Sequence, residues 1–215
     1  MKKVFIVGGD GFARECYMNL TRIDEYNKEV IFGGFLGHGG YGHTVDYKEY
    51  QHLYKGEVAD YKIEENDYFI IGAGYGELRI KIYNDLKALG CKFYTLIGKG
   101  VELSDSFKYG EANIFTPPFL SSVSINIGNG NVFNGSVVMG HDVEIGDFNF
   151  FGPSTNILGN VKIGNMNTIG VSSIFLPKSK IGNNNKISPM SVIYKGCKDN
   201  CYMAGNPAIK IGEVE

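Results

Sequence analysis

Tyr109-Gly110-Glu111-Ala112-Asn113, Ile127-Gly128-Asn129-Gly130-Asn131, Ile145-Gly146-Asp147-Phe148-Asn149, Ile163-Gly164-Asn165-Met166-Asn167 and Ile181-Gly182-Asn183-Asn184-Asn185 follow one another at intervals of eighteen residues. Each opens on Ile or Tyr, continues with Gly and carries Asn in fifth place. Inside the intervals a six-residue beat of apolar side chains runs without a slip through Phe133, Met139, Ile145, Phe151, Ile157, Ile163, Ile169, Phe175, Ile181, Ile187 and Ile193. Self-similarity at a fixed period marks a repeat architecture. A beat of six does not match the 3.6 of a helix, but it fits a short strand alternating with a turn.

Strand alternation makes the residue two before each beat position point the same way. Val137, Val143, Thr155, Val161, Ser173 and Ser191 stand there, small enough to share a narrow interior. Three edges per eighteen residues make a triangular coil, and stacked coils pair as parallel strands about 4.8 Å apart. The expectation is a parallel β-helix of about five coils. Asn113, Asn131, Asn149, Asn167 and Asn185 also precede a beat residue by two, so they should point inward and bond up the stack as an amide ladder. Glycine and Asn are expected to make the turns, because both tolerate left-handed backbone angles.

The texture changes near residue 100: four Asn lie before it and fifteen after. There are 30 glycines among 215 residues, about twice the usual share, and six of the fifteen ahead of residue 100 fall in two strand-to-helix turns. Lys3–Val7 reads as a buried strand ending in Gly8-Gly9-Asp10-Gly11, with a helix from Phe12 to about Thr21. Val30–Leu36 is a second strand, and Asp67–Ile71 a third. The third ends in Gly72-Ala73-Gly74-Tyr75-Gly76, followed by a helix from Glu77 to Leu89, and Lys92–Ile97 is a fourth strand. Strand, glycine turn and helix repeated twice give a small parallel sheet with crossover helices, α/β in class. Such turns are where backbone N–H groups and a helix N-terminus hold phosphates. They also serve simply as tight turns, and the first is G-G-x-G without a third glycine. No acidic residue ends the second strand, where Gly37-His38 follows Leu36, which argues against NAD.

Composition excludes several classes. The chain is 43% hydrophobic with 14 Tyr and 14 Phe, which rules out disorder. Its 21 Lys+Arg against 23 Asp+Glu give a net charge of −2, so no strong field favours nucleic acid or an anionic membrane. No apolar run approaches a membrane helix, and Val4–Val7 is too short for a signal-peptide core. Cys16, Cys91, Cys197 and Cys201 lack paired zinc spacing and read as reduced packing residues of a cytoplasmic protein, with no metal expected.

Of four histidines, His38, His43 and His52 lie in glycine-rich or polar stretches and read as solvated. The repeat fixes the place of His141. In Met139-Gly140-His141-Asp142-Val143, Met139 and Val143 face inward, which sets His141 at a corner facing out. Asp142 beside it can orient the imidazole. Eighteen residues on, the same corner is Gly159, whose N–H then lies about one strand spacing away. A base beside a backbone donor suits acyl transfer.

Val7-Gly8-Gly9-Asp10-Gly11-Phe12-Ala13-Arg14-Glu15, Gly140-His141-Asp142-Val143-Glu144-Ile145-Gly146-Asp147-Phe148 and Ala204-Gly205-Asn206-Pro207-Ala208 together resemble the nucleotide-sugar N-acetyltransferases of bacterial glycan synthesis. These are hexapeptide-repeat proteins related to sialic acid O-acetyltransferases, and the resemblance covers nearly the whole chain. It implies a Rossmann-like domain over 1–100 and a left-handed β-helix acyltransferase domain with a C-terminal tail over 101–215. It implies a homotrimer with acetyl-CoA in the groove between neighbouring coils, and with the nucleotide of the sugar on the N-terminal domain at Gly8, Gly9, Asp10, Gly11, Phe12, Gly72 and Gly74. By the same resemblance His141 is the general base, Asp142 supports it, and Gly159 offers its N–H to the thioester oxygen. Gly205, Asn206 and Pro207 lie near the CoA end of the groove. The implied acceptor is the amine of a 4-amino-4,6-dideoxyhexose on dTDP or UDP, used for O-antigen or surface glycan.

Three departures stand out. Phe150 occupies the place of a second histidine that contacts the cofactor in relatives, Gly37-His38 replaces acidic residues, and Gly98-Lys99 replaces His-Pro. The rival readings are a sugar O-acetyltransferase and a non-catalytic sugar-nucleotide-binding β-helix.

Overall fold

The computed structural model describes residues 1–42, 48–74 and 76–214, in two units, Met1–Lys99 and Gly100–Glu215. In the first, β1 (Lys2–Val7) leads to α1 (Gly11–Leu20), β2 (Val30–Gly37), a short α2 (Lys48–Gln51), β3 (Tyr54–Glu57), β4 (Asp67–Ile71), α3 (Gly76–Ala88) and β5 (Lys92–Phe93). The sheet order is β3-β2-β1-β4-β5, all parallel. That order reverses direction between β1 and β4, the switch point at which doubly wound sheets bind ligands beyond the carboxyl ends of their strands. Val4, Phe5, Ile6 and Val7 are buried on both faces, as a central parallel strand requires.

Two features differ from the sequence expectation. Lys92–Ile97 is not one strand: Lys92–Phe93 and Leu96–Ile97 are separate. β3 was unread, because Tyr54-Lys55-Gly56-Glu57 carries no apolar run; an edge strand needs only its backbone to pair.

The second unit is a parallel β-helix of three faces. The first holds Val101–Glu102, Phe119–Ser121, Val137–Met139, Asn156–Ile157, Ile174–Phe175 and Val192–Ile193. The second holds Lys108–Tyr109, Asn126–Ile127, Glu144–Ile145, Lys162–Ile163, Lys180–Ile181 and Gly196–Cys197. The third runs from Ile114–Thr116 through Val132–Asn134, Phe150–Phe151, Thr168–Ile169 and Lys186–Ile187 to Cys201–Gly205, where Ala208–Glu213 folds back antiparallel and covers the edge. Every beat residue from Phe133 to Ile193 is buried, as are Val137, Val143, Thr155, Val161, Ser173 and Ser191. Phe115, Phe133 and Phe151 stack face to face at 5.0 and 4.8 Å, the strand spacing itself.

The amide ladder is present. Asn131, Asn149, Asn167 and Asn185 each give their backbone N–H to the Oδ1 of the Asn one coil earlier, at 2.8–2.9 Å. A second ladder went unread on the sequence. Along one outer corner Asn129, Asp147, Asn165, Asn183 and Asp199 accept the N–H of Glu111, Asn129, Asp147, Asn165 and Asn183 respectively.

The glycines have a different job from the one expected. The left-handed turn positions carry mostly other residues: φ is 58° at Ser124, 55° at Phe148, 60° at Met166 and 67° at Lys178. Glycines such as Gly164 lie outside that region. A Cβ there would come within 2.7 Å of the Gly182 carbonyl oxygen, so glycine is required for the close approach of successive coils.

The eighteen-residue step also ends before the last coil. Val192–Ile193 stacks on Ile174–Phe175 at eighteen, but Gly196–Cys197 stacks on Lys180–Ile181 at sixteen. The corner between them is therefore two residues shorter than those before it.

Asn149 is the ladder's centre: its Nδ2 donates to Asn131 Oδ1 and Gly164 O, and its Oδ1 accepts from Asn167 N and Nδ2. Asn149→Ala leaves the Asn167 N–H buried and unpaired and removes the amide partner of the partly buried Gly164 carbonyl. The expected cost is about 2–5 kcal/mol, read as a lowered urea midpoint with unchanged slope.

Candidate active site

Gly140-His141-Asp142 is the corner between the first and second faces. Met139 and Val143 are buried on either side, which turns the His141 side chain outward, 56% exposed. The backbone is pinned from both neighbours: Asp142 N–H donates to Val123 O at 3.1 Å, and His141 O accepts from Asn160 N at 2.8 Å. Asp142 holds the left-handed position, φ 57°, and its Oδ2 lies 2.7 Å from His141 Nδ1. With a carboxylate facing Nδ1, the neutral ring carries its proton there and leaves the lone pair on Nε2.

Nε2 overhangs Gly159. A Cβ on Gly159 would lie 2.6 Å from Nε2 and 2.8 Å from Cε1, so the absence of a side chain there makes room for the imidazole against the next coil. Gly159 O accepts from Lys178 N at 3.0 Å, and among the described residues nothing accepts the Gly159 N–H. A basic nitrogen and a vacant backbone donor thus share one corner.

The same corner continues to the shortened turn at Tyr194-Lys195. There a cavity of about 380 Å³ is lined by Ile193, Tyr194, Lys195, Gly196, Pro207 and Ala208. Pro207 is thereby placed on the His141 edge of the coil, with Gly205, tied to Ser191 Oγ at 3.3 Å, and Asn206 in the adjoining hairpin turn. Phe150 is elsewhere: it points outward from the third face, between Val132 and Thr168.

In the N-terminal unit the glycine turns of β1 and β4 lie side by side. Gly72 N–H donates to Val7 O at 2.8 Å, and a Cβ on Gly8 would come within 3.0 Å of Gly72 O. Gly9 and Gly11 continue the first turn, with Gly74 in the second. Asp10 does not stand open to a ligand. It caps α1, its Oδ1 accepting from Phe12 N at 3.1 Å and Ala13 N at 3.2 Å, while Oδ2 accepts from Tyr41 Oη at 2.6 Å. Burial and that carboxylate push the Tyr41 phenol well above its usual range. Beneath the turns, Arg79 on α3 is fully buried and donates to Ile71 O at 2.6 Å and Ala73 O at 2.9 Å; burial holds its guanidinium down to about 10. Sequence reading missed Arg79, because one Arg in an amphipathic helix carries no sign that it faces inward.

His38 is a correction. It is not solvated but largely buried, with Nε2 2.9 Å from Asp85 Oδ2 on α3; the Gly39-Gly40 turn folds it back onto the sheet. His52 is exposed, and His43 and Tyr75 lie outside the described residues. Burial raises Cys16 and Cys197 to about 12 and Cys91 to about 11, so none of these is a thiolate near neutrality. Among the described residues no group of three or more His, Cys, Asp or Glu could hold a metal ion, and no helix is long and apolar enough to cross a membrane.

No family model matches the chain, and no curated protein matches it. Solved structures do. The structural neighbours include a perosamine N-acetyltransferase from Caulobacter crescentus. PerB from Caulobacter crescentus, in complex with CoA and GDP-perosamine, superposes with a TM-score of 0.86 at 20% identity over 99% of this chain and 98% of its own. The acetyltransferase domain of PglB from Neisseria gonorrhoeae, in complex with acetyl coenzyme A, gives 0.86 at 18% over 98% and 99%. WeeI from Acinetobacter baumannii gives 0.84 at 21% over 98% and 100%. At these identities the likeness is one of fold, and it extends over both units.

Arg79→Ala removes the donor to two buried carbonyls and leaves a cavity under both glycine turns. The N-terminal unit should lose about 3–5 kcal/mol, measured by urea unfolding, while Arg79→Lys recovers part of it.

Proposed function

We propose that this chain is an acetyl-CoA-dependent N-acetyltransferase acting on the amine of a nucleotide-linked amino sugar. The observation that carries the reading is His141 Nε2, oriented by Asp142 through Nδ1 and lying over Gly159 at a coil corner. The sugar amine attacks the thioester carbonyl carbon and gives its proton to Nε2. The Gly159 N–H faces the developing oxyanion, the carbon–sulfur bond breaks, and the proton passes to the departing thiolate. No covalent enzyme intermediate is needed, in keeping with thiols that burial keeps protonated. A positioned general base contributes about 10²- to 10⁴-fold. That PerB holds CoA and GDP-perosamine on the same fold favours an amino sugar over a sugar hydroxyl as acceptor.

In this reading the coil is the left-handed hexapeptide form and the N-terminal unit is a Rossmann-like nucleotide binder, with Gly8, Gly9, Gly11, Phe12, Gly72 and Gly74 about the phosphates and Asp10 fixing the turn. Acetyl-CoA runs along the His141 corner toward the cavity at Pro207, three strand spacings or about 14 Å away, with Gly205 and Asn206 beside it. The working form is a homotrimer. The outward column of the first face, Glu102, Leu120, Val138, Asn156, Ile174 and Val192, is mostly aliphatic, with Leu120 48% and Val138 41% exposed, whereas the second face shows Lys108, Asn126, Glu144, Lys162 and Lys180. An aliphatic column suits burial against a second coil. Phe150, on the third face, reaches cofactor only from a neighbouring copy. The product serves surface-glycan synthesis in the cytoplasm.

Thiol release from acetyl-CoA, measured with a panel of nucleotide-linked amino sugars, tests the assignment. His141→Asn should lower kcat by about 10²-fold or more with an unchanged melting point, and turnover equal to wild type would overturn the base. Gly159→Ala should also lower kcat, because its Cβ takes the space under Nε2; the displaced ring is exposed, so stability should barely change.

A further inference from the structure

The sequence places no acidic residue at the end of β2, where α/β nucleotide sites use one to bind ribose hydroxyls; the fold brings one from another strand. β2 ends at Gly37, which, past a one-residue register irregularity, pairs with Glu57, the last residue of β3. Paired residues on neighbouring strands project to the same face of a sheet. A Cβ on Gly37 would meet Glu57 Oε1, and would lie 2.8 Å from Glu57 Cδ and 2.9 Å from the Tyr54 hydroxyl. The Glu57 carboxylate therefore fills the volume that a side chain at residue 37 would take. Tyr54 Oη donates to Glu57 Oε1 at 3.2 Å, and among the described residues Oε2 has no partner. The nearby acid on α3, Asp85, is engaged by His38.

The neighbouring geometry is that of a nucleotide half-site. Gly8 N–H donates to Leu36 O at 2.9 Å, which sets the glycine turn of β1 beside the end of β2. A nucleotide with its phosphates against Gly8 and Gly9 then has its ribose over Gly37, one strand spacing of about 4.8 Å away.

We infer that Glu57 is the ribose-recognising residue of the N-terminal unit, accepting both hydroxyls of a cis-2′,3′-diol, with Tyr54 as its positioning residue. This rests on the proposed reading of that unit as a nucleotide binder and narrows it: the sugar is carried on a ribonucleoside diphosphate, not on a 2′-deoxy one. Two carboxylate oxygens match a cis-diol, whereas a 2′-deoxyribose offers one hydroxyl and leaves the other acceptor unpaired.

The test is calorimetric titration of the full chain with UDP against dUDP and GDP against dGDP, pairs that differ only at the 2′ position. Wild type should prefer the ribonucleotide by about tenfold or more, the worth of one hydrogen bond to a charged acceptor. Glu57→Gln, checked for an unchanged urea midpoint, should bring the ratio to within about twofold of one, and Tyr54→Phe should lower it part-way. A wild type with no ribose preference, or a ratio kept in Glu57→Gln, overturns the assignment of Glu57 and leaves the nucleotide reading standing. If no nucleoside diphosphate binds although acetyl-CoA does, the reading of the N-terminal unit fails and Glu57 with it.

Discussion

The parallel stacking of one coil on the next, held at a single strand spacing, is the constraint on which the C-terminal unit depends. Before the closing hairpin, each strand of this coil is only two or three residues long, too short to hold its register by its own backbone bonds. The register is held by what points inward and by what lines the corners. The Asn113–Asn185 ladder ties coil to coil through amide and backbone together, and the outer ladder through Asn129, Asp147, Asn165 and Asn183 repeats the tie at a corner. Both place an oxygen directly over the N–H eighteen residues away, so a one-residue slip would break every bond of both ladders at once. The stacked rings of Phe115, Phe133 and Phe151 fill the interior on the same spacing, and aromatic pairs of this kind add about 0.5–1.5 kcal/mol each beyond their buried area.

The same close spacing explains residue choices that look arbitrary in the sequence. Gly164 and its equivalents are glycine because another coil's backbone lies where a Cβ would go. Ser124, Phe148 and Lys178 stand at left-handed angles usually reserved for glycine or Asn. Each is held from the preceding coil, the Phe148 N–H donating to Asn129 O, the Lys178 N–H to Gly159 O and the Ser124 N–H to Ser106 Oγ, and a backbone so over-determined can hold residues in sparsely populated regions. Turn chemistry in a stacked coil is thus set by neighbours more than by local preference.

This separates what the sequence shows from what it hides. The coil, its inward residues and the His141–Asp142–Gly159 corner could be read because each is a phase of a period, and phase fixes direction. Arg79, Glu57 and the His38–Asp85 pair could not. They lie where the chain returns to one place after long excursions: Glu57 reaches Gly37 from the following strand, and Asp85 reaches His38 from α3. No local pattern encodes that meeting. The glycine turns of β1 and β4 were legible as turns, but the occupation of the α1 N-terminus by Asp10 was not, since a capping Asp and a phosphate-facing Asp look alike in one dimension. The loss of two residues between Ile193 and Gly196 was hidden for the opposite reason, since a regular period invites the assumption that it continues.

In the proposed reaction, His141 is where the scaffold's constraint becomes chemistry. A base placed on a mobile loop must be fixed by contacts of its own, whereas here the coil fixes it in advance. Asn160 and Val123 hold the backbone on either side, Asp142 fixes the ring through Nδ1, and the next coil sets what lies beneath Nε2. The placing of Nε2 over Gly159 is set by the stacking of one coil on the next, and it cannot drift without loosening that stacking. Preorganised donors need not reorganise as charge develops, which is where electrostatic catalysis finds most of its advantage. The exposure of His141 and Asp142, both more than half open to solvent, is then no weakness. The corner supplies position, and exclusion of water falls to whatever packs against the aliphatic first face and its edge. On this view the apolar column of Leu120, Val138, Ile174 and Val192 and the exposed imidazole are two parts of one arrangement: a rigid edge whose chemistry is completed when a second surface closes over it.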